Sequence, residues 1–186
     1  EKELDIMVWI IVIAIIVILV VWGIGAYNNF VRSKEMVSNA MAQIAAQVES
    51  RWDALTNLIS ATKQYQTHEH DTLTKIVESR SNVSRNSSVS DVEKDDAAFN
   101  RALRSIDVVV EQYPNLKASD VYQSTMNSVN TYENNVRQSR MVFNDTVTKY
   151  NRLIKTFPNS VIAGFTGFTP EEYFENSAEK AEMPQW

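Results

Sequence analysis

Histidines are the first residues in this chain whose chemistry could define a site. His68 and His70 are the only two histidines, and imidazole is a common metal ligand. On a helix, side chains two positions apart point about 200° from each other, so the pair cannot share one metal ion. The chain has no cysteine, and we find no glycine-rich phosphate loop and no nucleophile motif. We therefore expect no metal, no cofactor and no enzymatic activity.

Charged residues at positions that should be buried are the second candidates. Arg51 falls in a row of apolar residues that includes Phe30 and Leu58, and Glu133 and Arg140 interrupt a row in a later helix. A buried unpaired charge costs several kcal/mol. We therefore predict that Arg51, Glu133 and Arg140 form an interhelical ion network. Such a network fixes the register of the helices; a binding role and simple surface exposure remain open alternatives.

The N-terminal segment must position everything that follows. Residues Ile6 to Ile24 read IMVWIIVIAIIVILVVWGI without a charge. As a helix they span roughly 28 Å, close to the ~30 Å hydrocarbon core of a bilayer. The acidic flank disfavours a signal peptide, and Trp9 and Trp22 lie near the two ends, where indole rings prefer the headgroup boundary. The pattern predicts a single-pass transmembrane anchor that contacts the lipid bilayer.

Apolar residues at heptad spacing continue directly after the anchor. Neither glycine nor proline occurs between Ala26 and Tyr113, so we predict one helix from about residue 6 to about residue 79. Its apolar rows comprise Phe30, Val37, Met41, Ile44, Val48, Leu55, Leu58 and Tyr65. This 3-4 alternation is typical of a helix packed against other helices.

Two further helices complete the predicted bundle. A capping box of Ser90 and Glu93 is expected to open the second helix, and Pro114 to end it. Its predicted apolar stripe is Phe99, Leu103, Ile106, Val110 and Tyr113. The third helix is expected to run from Ser119 or Asp120 to about Phe157. Its predicted row is Val129, Val136, Phe143, Tyr150 and Phe157, with Met126, Val147 and Ile154 beside it.

The absence of strand patterns predicts an all-α fold. We expect an N-terminal transmembrane helix continuing into a long antiparallel helical bundle, with three long helices and a short C-terminal helical segment near Thr169-Pro170. The expected organisation is an anchor (1–25), a helical bundle (26–170) and an acidic tail (171–186). Aromatic residues near the C-terminus either cover the end of the bundle or dock onto a neighbouring subunit. These candidate interface residues are Phe165, Phe168, Tyr173, Phe174 and Trp186.

Charge excludes one class of partner and suggests a topology. The chain of 186 residues has a formal net charge of −5, and its sequence contains no basic stripe of the kind that binds nucleic acid. We therefore expect no nucleic-acid partner. Arg32 and Lys34 follow the anchor, whereas Lys2 alone precedes it. Positive-inside counting therefore favours a cytoplasmic bundle by one residue.

Several segments, in their order along the chain, resemble the bacterial LemA family. They are YNNFV (27–31), ESRWDALTNLI (49–59), YQTHE (65–69), ESR (78–80), EQYPNLKA (111–118) and most of residues 132–168. The chain departs from the family pattern at Ala40-Met41, where Ala-Trp is usual, and at DALTNL, which lacks the usual proline. The resemblance implies a single-pass protein of the bacterial inner membrane with a long helical bundle, and it implies no catalytic activity.

Two functional hypotheses follow. The first is a non-enzymatic membrane scaffold that works through homo-oligomerisation, with assemblies larger than a dimer. The second, which rests on the resemblance, is an adaptor or regulator of a membrane enzyme such as a membrane protease, with a membrane protein as its partner.

Overall fold

A computed structural model describes residues 2–62, 71, 74, 75, 77, 78, 80 and 82–175 of the chain. These residues contain no β-strand, and five helices have defined bounds within them. The helices are α1 (Lys2–Thr62), α2 (Val89–Gln112), α3 (Pro114–Lys117), α4 (Asp120–Lys155) and α5 (Asn159–Thr166). The predicted all-α fold is confirmed.

Helix α1 joins the apolar N-terminal segment to the packed part of the chain. It begins at Lys2, passes Gly23 and Gly25, and is helical throughout residues 26–36. The predicted continuity between the anchor and the first bundle helix is therefore confirmed. Each glycine lowers helix propensity by about 1 kcal/mol relative to alanine, a small cost within a helix of 61 residues.

The prediction that this helix runs unbroken to residue 79 is wrong. The Arg80 Nη1 atom lies 3.1 Å from the Asp53 Oδ1 atom. In a straight helix, residues 27 positions apart would be separated by roughly 40 Å. The absence of glycine and proline permits a helix to continue but does not force it to, and α1 ends at Thr62. The predicted row member Tyr65 lies outside the described residues.

The chain forms two compact units, and helices α1 and α4 contribute residues to both. One unit contains Glu1–Val37 and Asp145–Glu172; the other contains Ser38–Asn144 and Tyr173–Trp186. This partition follows packing. The division into an anchor (1–25), a helical bundle (26–170) and an acidic tail (171–186) is drawn from the composition of the sequence, and it stays a prediction.

In the unit that contains residues 38–144, contacts define the directions of three helices. Asn39 approaches Arg85, and further along both segments Arg51 binds Asp95, so α2 runs parallel to this part of α1. Helix α4 is antiparallel to α1, because Gln47 pairs with Asn135 and Arg51 with Glu133. Five members of the predicted apolar rows of α1 are buried in this unit: Met41, Ile44, Val48, Leu55 and Leu58. On α2 the buried face is shifted: Leu103 and Tyr113 are half-buried, and the buried residues are Val92, Asp95, Phe99, Ala102, Ile106 and Val110.

In the unit that contains residues 1–37, the C-terminal segment packs onto α1. Gly167 ends helix α5 with a φ angle of 75°, a left-handed conformation that glycine adopts without a steric penalty. The turn brings the Phe168 ring to 5.7 Å from that of Tyr27 and 5.4 Å from that of Phe30. Lys34 forms an ion pair with Glu171 at 3.2 Å.

Three predicted helix boundaries differ from the structure. Ser88 with Asp91 forms the capping box of α2, two residues before the predicted pair. Helix α4 ends at Lys155, and Phe157 is 79% exposed because the residue before a proline leaves the helical region. Residues 169–172 form no helical turn; their carbonyl and amide groups bind side chains of α4 instead.

Candidate functional site: a buried arginine cluster

Three helices of one unit bring five charged residues together. Arg51 lies on α1, Asp95 and Asp96 lie on α2, and Glu133 and Arg140 lie on α4. The three residues predicted from the sequence are thus part of one network. The two aspartates were missed. A signal for Asp95 exists, because it stands on the apolar face of α2 between Val92 and Phe99.

Arg51 is the centre of the network and is 1% exposed. Its Nη1 atom donates to Oε1 of Glu133 at 2.6 Å. Its Nη2 atom donates to Oδ2 of Asp95 at 2.8 Å and to Oδ1 of Asp96 at 2.7 Å. Charge-assisted hydrogen bonds of this length are about twice as strong as neutral ones. One guanidinium therefore joins α1 to both α2 and α4.

An aromatic pair surrounds the Arg51–Asp95 contact. The Trp52 Nε1 atom donates to both carboxylate oxygens of Asp95, at 3.1 and 3.0 Å. The Phe99 ring lies edge-on to Trp52 at 5.1 Å, and the Arg51 guanidinium carbon lies 4.4 Å from the centre of the same ring. Asp95 is thus buried with a cation and an N–H donor, the partners that a buried carboxylate needs.

Arg140 extends the network towards the C-terminal segment. It donates from Nη2 to Asp96, which therefore lies between the two arginines. The Arg140 guanidinium lies 4.9 Å from the ring centre of Phe174, and that ring packs edge-on against Phe143 at 5.2 Å. The Nε atoms of Arg51 and Arg140 have no hydrogen-bond acceptor among the described residues. Cation–π contact supplies part of the stabilisation there.

The electrostatics favour a permanently charged arginine. Burial alone would lower the pKa of the Arg51 guanidinium, but the hydrogen bonds that it donates to Asp95 and Asp96 and the negative charge of Glu133 outweigh this effect. The pKa of Arg51 therefore lies above its ordinary value. The Arg51 guanidinium therefore stays charged in the physiological range.

The cluster has little scope for binding chemistry. Within the described ranges, no group of three or more His, Asp or Glu residues is arranged to hold a metal ion. The carboxylates of the cluster are directed at guanidinium and indole N–H groups. These ion pairs connect α1 to α2 and α4, and a role in setting the register of the three helices stays a prediction.

The C-terminal aromatic residues divide into two groups. Phe174 is buried against Phe143, and the half-buried Phe168 packs on α1, so both rings contact their own chain. Phe165 and Tyr173 are exposed. Trp186 lies outside the described residues, as do His68 and His70.

Two asparagines of α4 hold the segment that contains Phe174. Asn144 donates from Nδ2 to the Phe174 carbonyl at 2.9 Å and accepts the Phe174 N–H at 2.9 Å. Asn151 makes the same pair of bonds with the backbone of Glu171, at 2.9 and 2.8 Å. Nothing in the local sequence periodicity predicted these reciprocal amide pairs.

The apolar N-terminal part of α1 is exposed along its length. Among the described residues, α1 alone contains a window long and apolar enough to cross a membrane, with a mean hydropathy of 3.3. Trp9 and Trp22 are exposed near its two ends. Burial inside this chain therefore does not account for the apolar segment.

Helix α1 contains a candidate membrane span and continues into helices that are joined by buried ion pairs. These features define a helical-bundle protein with a candidate membrane span. The sequence profile of the LemA family matches residues 40–186, and the chain belongs to the LemA family. It is 27% identical to Protein LemA of Metamycoplasma hominis over 145 residues, 75% of this chain and 64% of that protein.

A second kind of relative matches a shorter region. The chain is 35% identical to Magnetosome protein MamQ of Magnetospirillum gryphiswaldense over 79 residues, 42% of this chain and 29% of MamQ. Magnetosome protein MamQ 2 of Paramagnetospirillum magneticum is also 35% identical, over 80 residues. The chain spans less than two thirds of the length of each of these curated relatives.

Proposed function

We propose that this protein is a non-enzymatic membrane scaffold whose α1 helix anchors it in the bilayer. The observation that carries the proposal is the continuity of α1 from the exposed apolar segment to Arg51. Fourteen Ile, Val and Leu residues between Ile6 and Ile24 give an insertion free energy on the order of −4 to −8 kcal/mol. The same helix connects the anchor to the residues that pack around Arg51.

The arginine cluster supports a scaffold more than a switch. A buried ion network contributes specificity rather than large net stability, because desolvation offsets much of the Coulomb attraction. Asp95 and Arg51 are almost fully buried and form an ion pair at 2.8 Å. The names of the relatives, a magnetosome protein and Protein LemA, denote no reaction, which agrees with a role through assembly.

Self-association is the second part of the proposal. Anchors held in one membrane raise the local concentration of the attached helices, so weak lateral contacts are amplified. The anchor is a poor packing face, since its residues are bulky and its nearest small pair, Gly23 and Gly25, lacks the four-residue spacing of close helix pairs. Lateral contacts therefore come from α1 beyond the anchor, where Val31 and Met36 are exposed. We infer a homo-oligomer larger than a dimer.

Cross-linking in membranes tests this assembly. The chain has no native cysteine, so Val31→Cys and Met36→Cys introduce unique attachment points about 140° apart around the helix. With a short bis-maleimide reagent, each single variant can give dimers at most, whereas the double variant gives a ladder if each copy has two neighbours. Ser33→Cys, half-buried against its own chain, is the control. A monomer band in all variants would overturn the scaffold and favour an adaptor that needs a different partner.

Chemical labelling of the Met36→Cys variant tests the proposed membrane topology. We propose that the bundle faces the cytoplasm of the bacterial inner membrane, from the basic residues Arg32 and Lys34 after the anchor. A membrane-impermeant maleimide should leave Met36→Cys unlabelled in intact spheroplasts and label it after lysis. Labelling before lysis would place the bundle on the opposite side.

A further inference from the structure

The loop and helix after α4 form an uncharged segment. No charged residue occurs in residues 156–170, between Lys155 and Glu171. Within this segment Phe157, Val161 and Phe165 are four residues apart and exposed. Val161 and Phe165 lie in helix α5, where a spacing of four places them on the same face. We name Phe157, Val161 and Phe165 the apolar edge.

The apolar edge is unusually exposed for a protein in water. Phe165 is 87% exposed and Phe157 is 79% exposed, whereas the most exposed residues of the apolar N-terminal segment reach 67%. Adjacent exposed apolar side chains mark an interaction surface more often than a solvated one. Ala163, two positions from both Val161 and Phe165 and therefore on the opposite face of α5, is the buried residue of this helix.

The position of α5 indicates which surface covers the apolar edge. A Cβ atom placed on Gly23 would lie 3.7 Å from the Cδ1 atom of Ile162. Gly23 is next to Trp22 and within the last turn of the uncharged run that ends at Ile24. The Phe168 ring, just after α5, contacts Tyr27 one turn further along α1. Helix α5 therefore lies beside the end of the candidate membrane span, where the headgroup region would begin.

The charges that flank the segment fit an anionic lipid surface. Arg152 and Lys155 occupy the last turn of α4, immediately before Phe157, and both are exposed. Basic residues next to an apolar edge are attracted to the negative charge of anionic headgroups. Aromatic side chains at this depth are favoured by the interface itself.

We propose that the apolar edge inserts into the headgroup region of the bilayer and forms a second membrane contact beside the anchor. The proposal rests on the membrane anchoring described under the proposed function. With two contacts, the anchor and α5, the protein would be fixed in both depth and rotation at the membrane surface. A second copy of the chain is the competing occupant of this edge.

Lipid-borne quenching tests the proposal on the full chain. Single-cysteine variants Val21→Cys, Phe165→Cys and Met36→Cys carry an environment-sensitive dye in nanodiscs of phosphatidylglycerol and phosphatidylcholine, prepared with one chain per disc. A lipid with a nitroxide on a shallow acyl carbon serves as the quencher. Met36, which is exposed and 12 positions beyond Ile24, would lie roughly 18 Å further along α1.

We expect comparable losses of emission at residues 21 and 165, and no loss at residue 36. Quenching at residue 21 without quenching at residue 165 would overturn the inserted edge while leaving the anchor intact. The dye at residue 165 could instead remain exposed to water in discs with one chain and become shielded from water in discs with two or more chains. A second copy of the chain would then cover the apolar edge, and this result also overturns the proposal. No quenching at residue 21 would overturn anchoring itself.

Discussion

Arg51 and Glu133 are 82 positions apart in the sequence, and their side chains are joined at 2.6 Å. The two residues differ in environment, because the Arg51 side chain is 1% exposed and that of Glu133 is 40% exposed. Arg51 also keeps two other carboxylate partners, Asp95 and Asp96. The contribution of each acid therefore depends on its burial, and the most buried acid is Asp95.

We expect Asp95→Ala to lower the free energy of unfolding by about 3 to 5 kcal/mol, because it removes a buried partner of Arg51 and the acceptor of the Trp52 N–H. Glu133→Ala is the matched variant and should cost about 1 kcal/mol, as exposed pairs do. A larger loss of unfolding free energy, about 3 kcal/mol, would be expected for Glu133→Ala only if the Glu133 side chain were buried, and it is 40% exposed. Urea unfolding of the full-length protein in mild detergent measures both. Equal losses for the two variants would contradict the assigned roles.

The N-terminus of α2 gives a second prediction. The Ser88 hydroxyl accepts the Asp91 N–H at 3.2 Å, and the Asp91 carboxylate accepts the Ser88 N–H at 2.9 Å. We expect Ser88→Ala to cost about 1 kcal/mol, whereas Ser90→Ala, the serine favoured by the sequence pattern, should be nearly neutral. Thermal unfolding of the two variants compares them directly, and the reverse order would show that Ser90 caps the helix.

The same cap predicts a dependence on acid pH. Hydrogen bonds from the Ser88 backbone and hydroxyl lower the pKa of Asp91 below its ordinary value of 3.8. Because the folded-state pKa is depressed, the contribution of Asp91 to stability is present above that ordinary value and is lost as pH falls through the folded-state pKa. Asp91→Asn should therefore be less stable than the unmodified chain at neutral pH, and the difference should vanish in strong acid. A difference independent of pH would argue against the capping carboxylate.

The asparagine pairs of α4 predict local protection of the C-terminal segment. Asn144→Asp keeps an acceptor for the Phe174 N–H but places an oxygen against the Phe174 carbonyl, so that bond is replaced by repulsion. We expect hydrogen exchange of the Phe174 amide to accelerate by roughly tenfold, the equivalent of about 1.4 kcal/mol for one lost hydrogen bond. Asn134→Asp, at an exposed position of the same helix, is the control. Unchanged exchange at Phe174 in the Asn144 variant would show that the amide pair does not hold the segment.

Tyr150 predicts a loss of stability at alkaline pH. Its hydroxyl donates to the Thr169 carbonyl at 3.0 Å, and burial, with the charge of Glu171, raises its pKa above the ordinary value of 10.0. The folded state therefore retains the proton longer than the unfolded state, so the contribution is complete below that ordinary value and is lost as pH rises through the folded-state pKa. Tyr150→Phe should be less stable at neutral pH by about 1 kcal/mol. Its stability should fall less than that of the unmodified chain above pH 10.0; equal slopes would contradict this assignment.

Periodicity predicted the parts of the fold that depend on apolar faces. Ile44 on α1 and Val129, Val136, Phe143 and Tyr150 on α4 are buried, because their spacing is imposed by helix geometry itself. Phe157, the last member of the predicted α4 row, is exposed. Arg51, Glu133 and Arg140 could be identified because each interrupts such a row. Asp96 could not, since it stands beside the buried face and acquires its role from the approach of Arg51 on α1 and Arg140 on α4.

Features set by distant partners could not be read from the sequence. Two serine–acid pairs near the start of α2 satisfy the capping pattern, and backbone geometry decides for Ser88. The segment that follows α5 contains a Thr-Pro-Glu-Glu pattern typical of a helical turn. Hydrogen bonds from Tyr150 and Asn151 hold it in a non-helical conformation instead. For residues 169–172 a local helical signal competes with tertiary contacts, and the tertiary contacts decide.

The mass of the full-length protein in mild detergent, measured by light scattering at micromolar concentration, tests the scaffold most directly. The account predicts a protein mass above twice the chain mass of 21.2 kDa, since each anchored copy is proposed to contact two neighbours. A protein mass of one chain under these conditions would contradict self-assembly and leave an adaptor as the remaining reading of the anchored bundle.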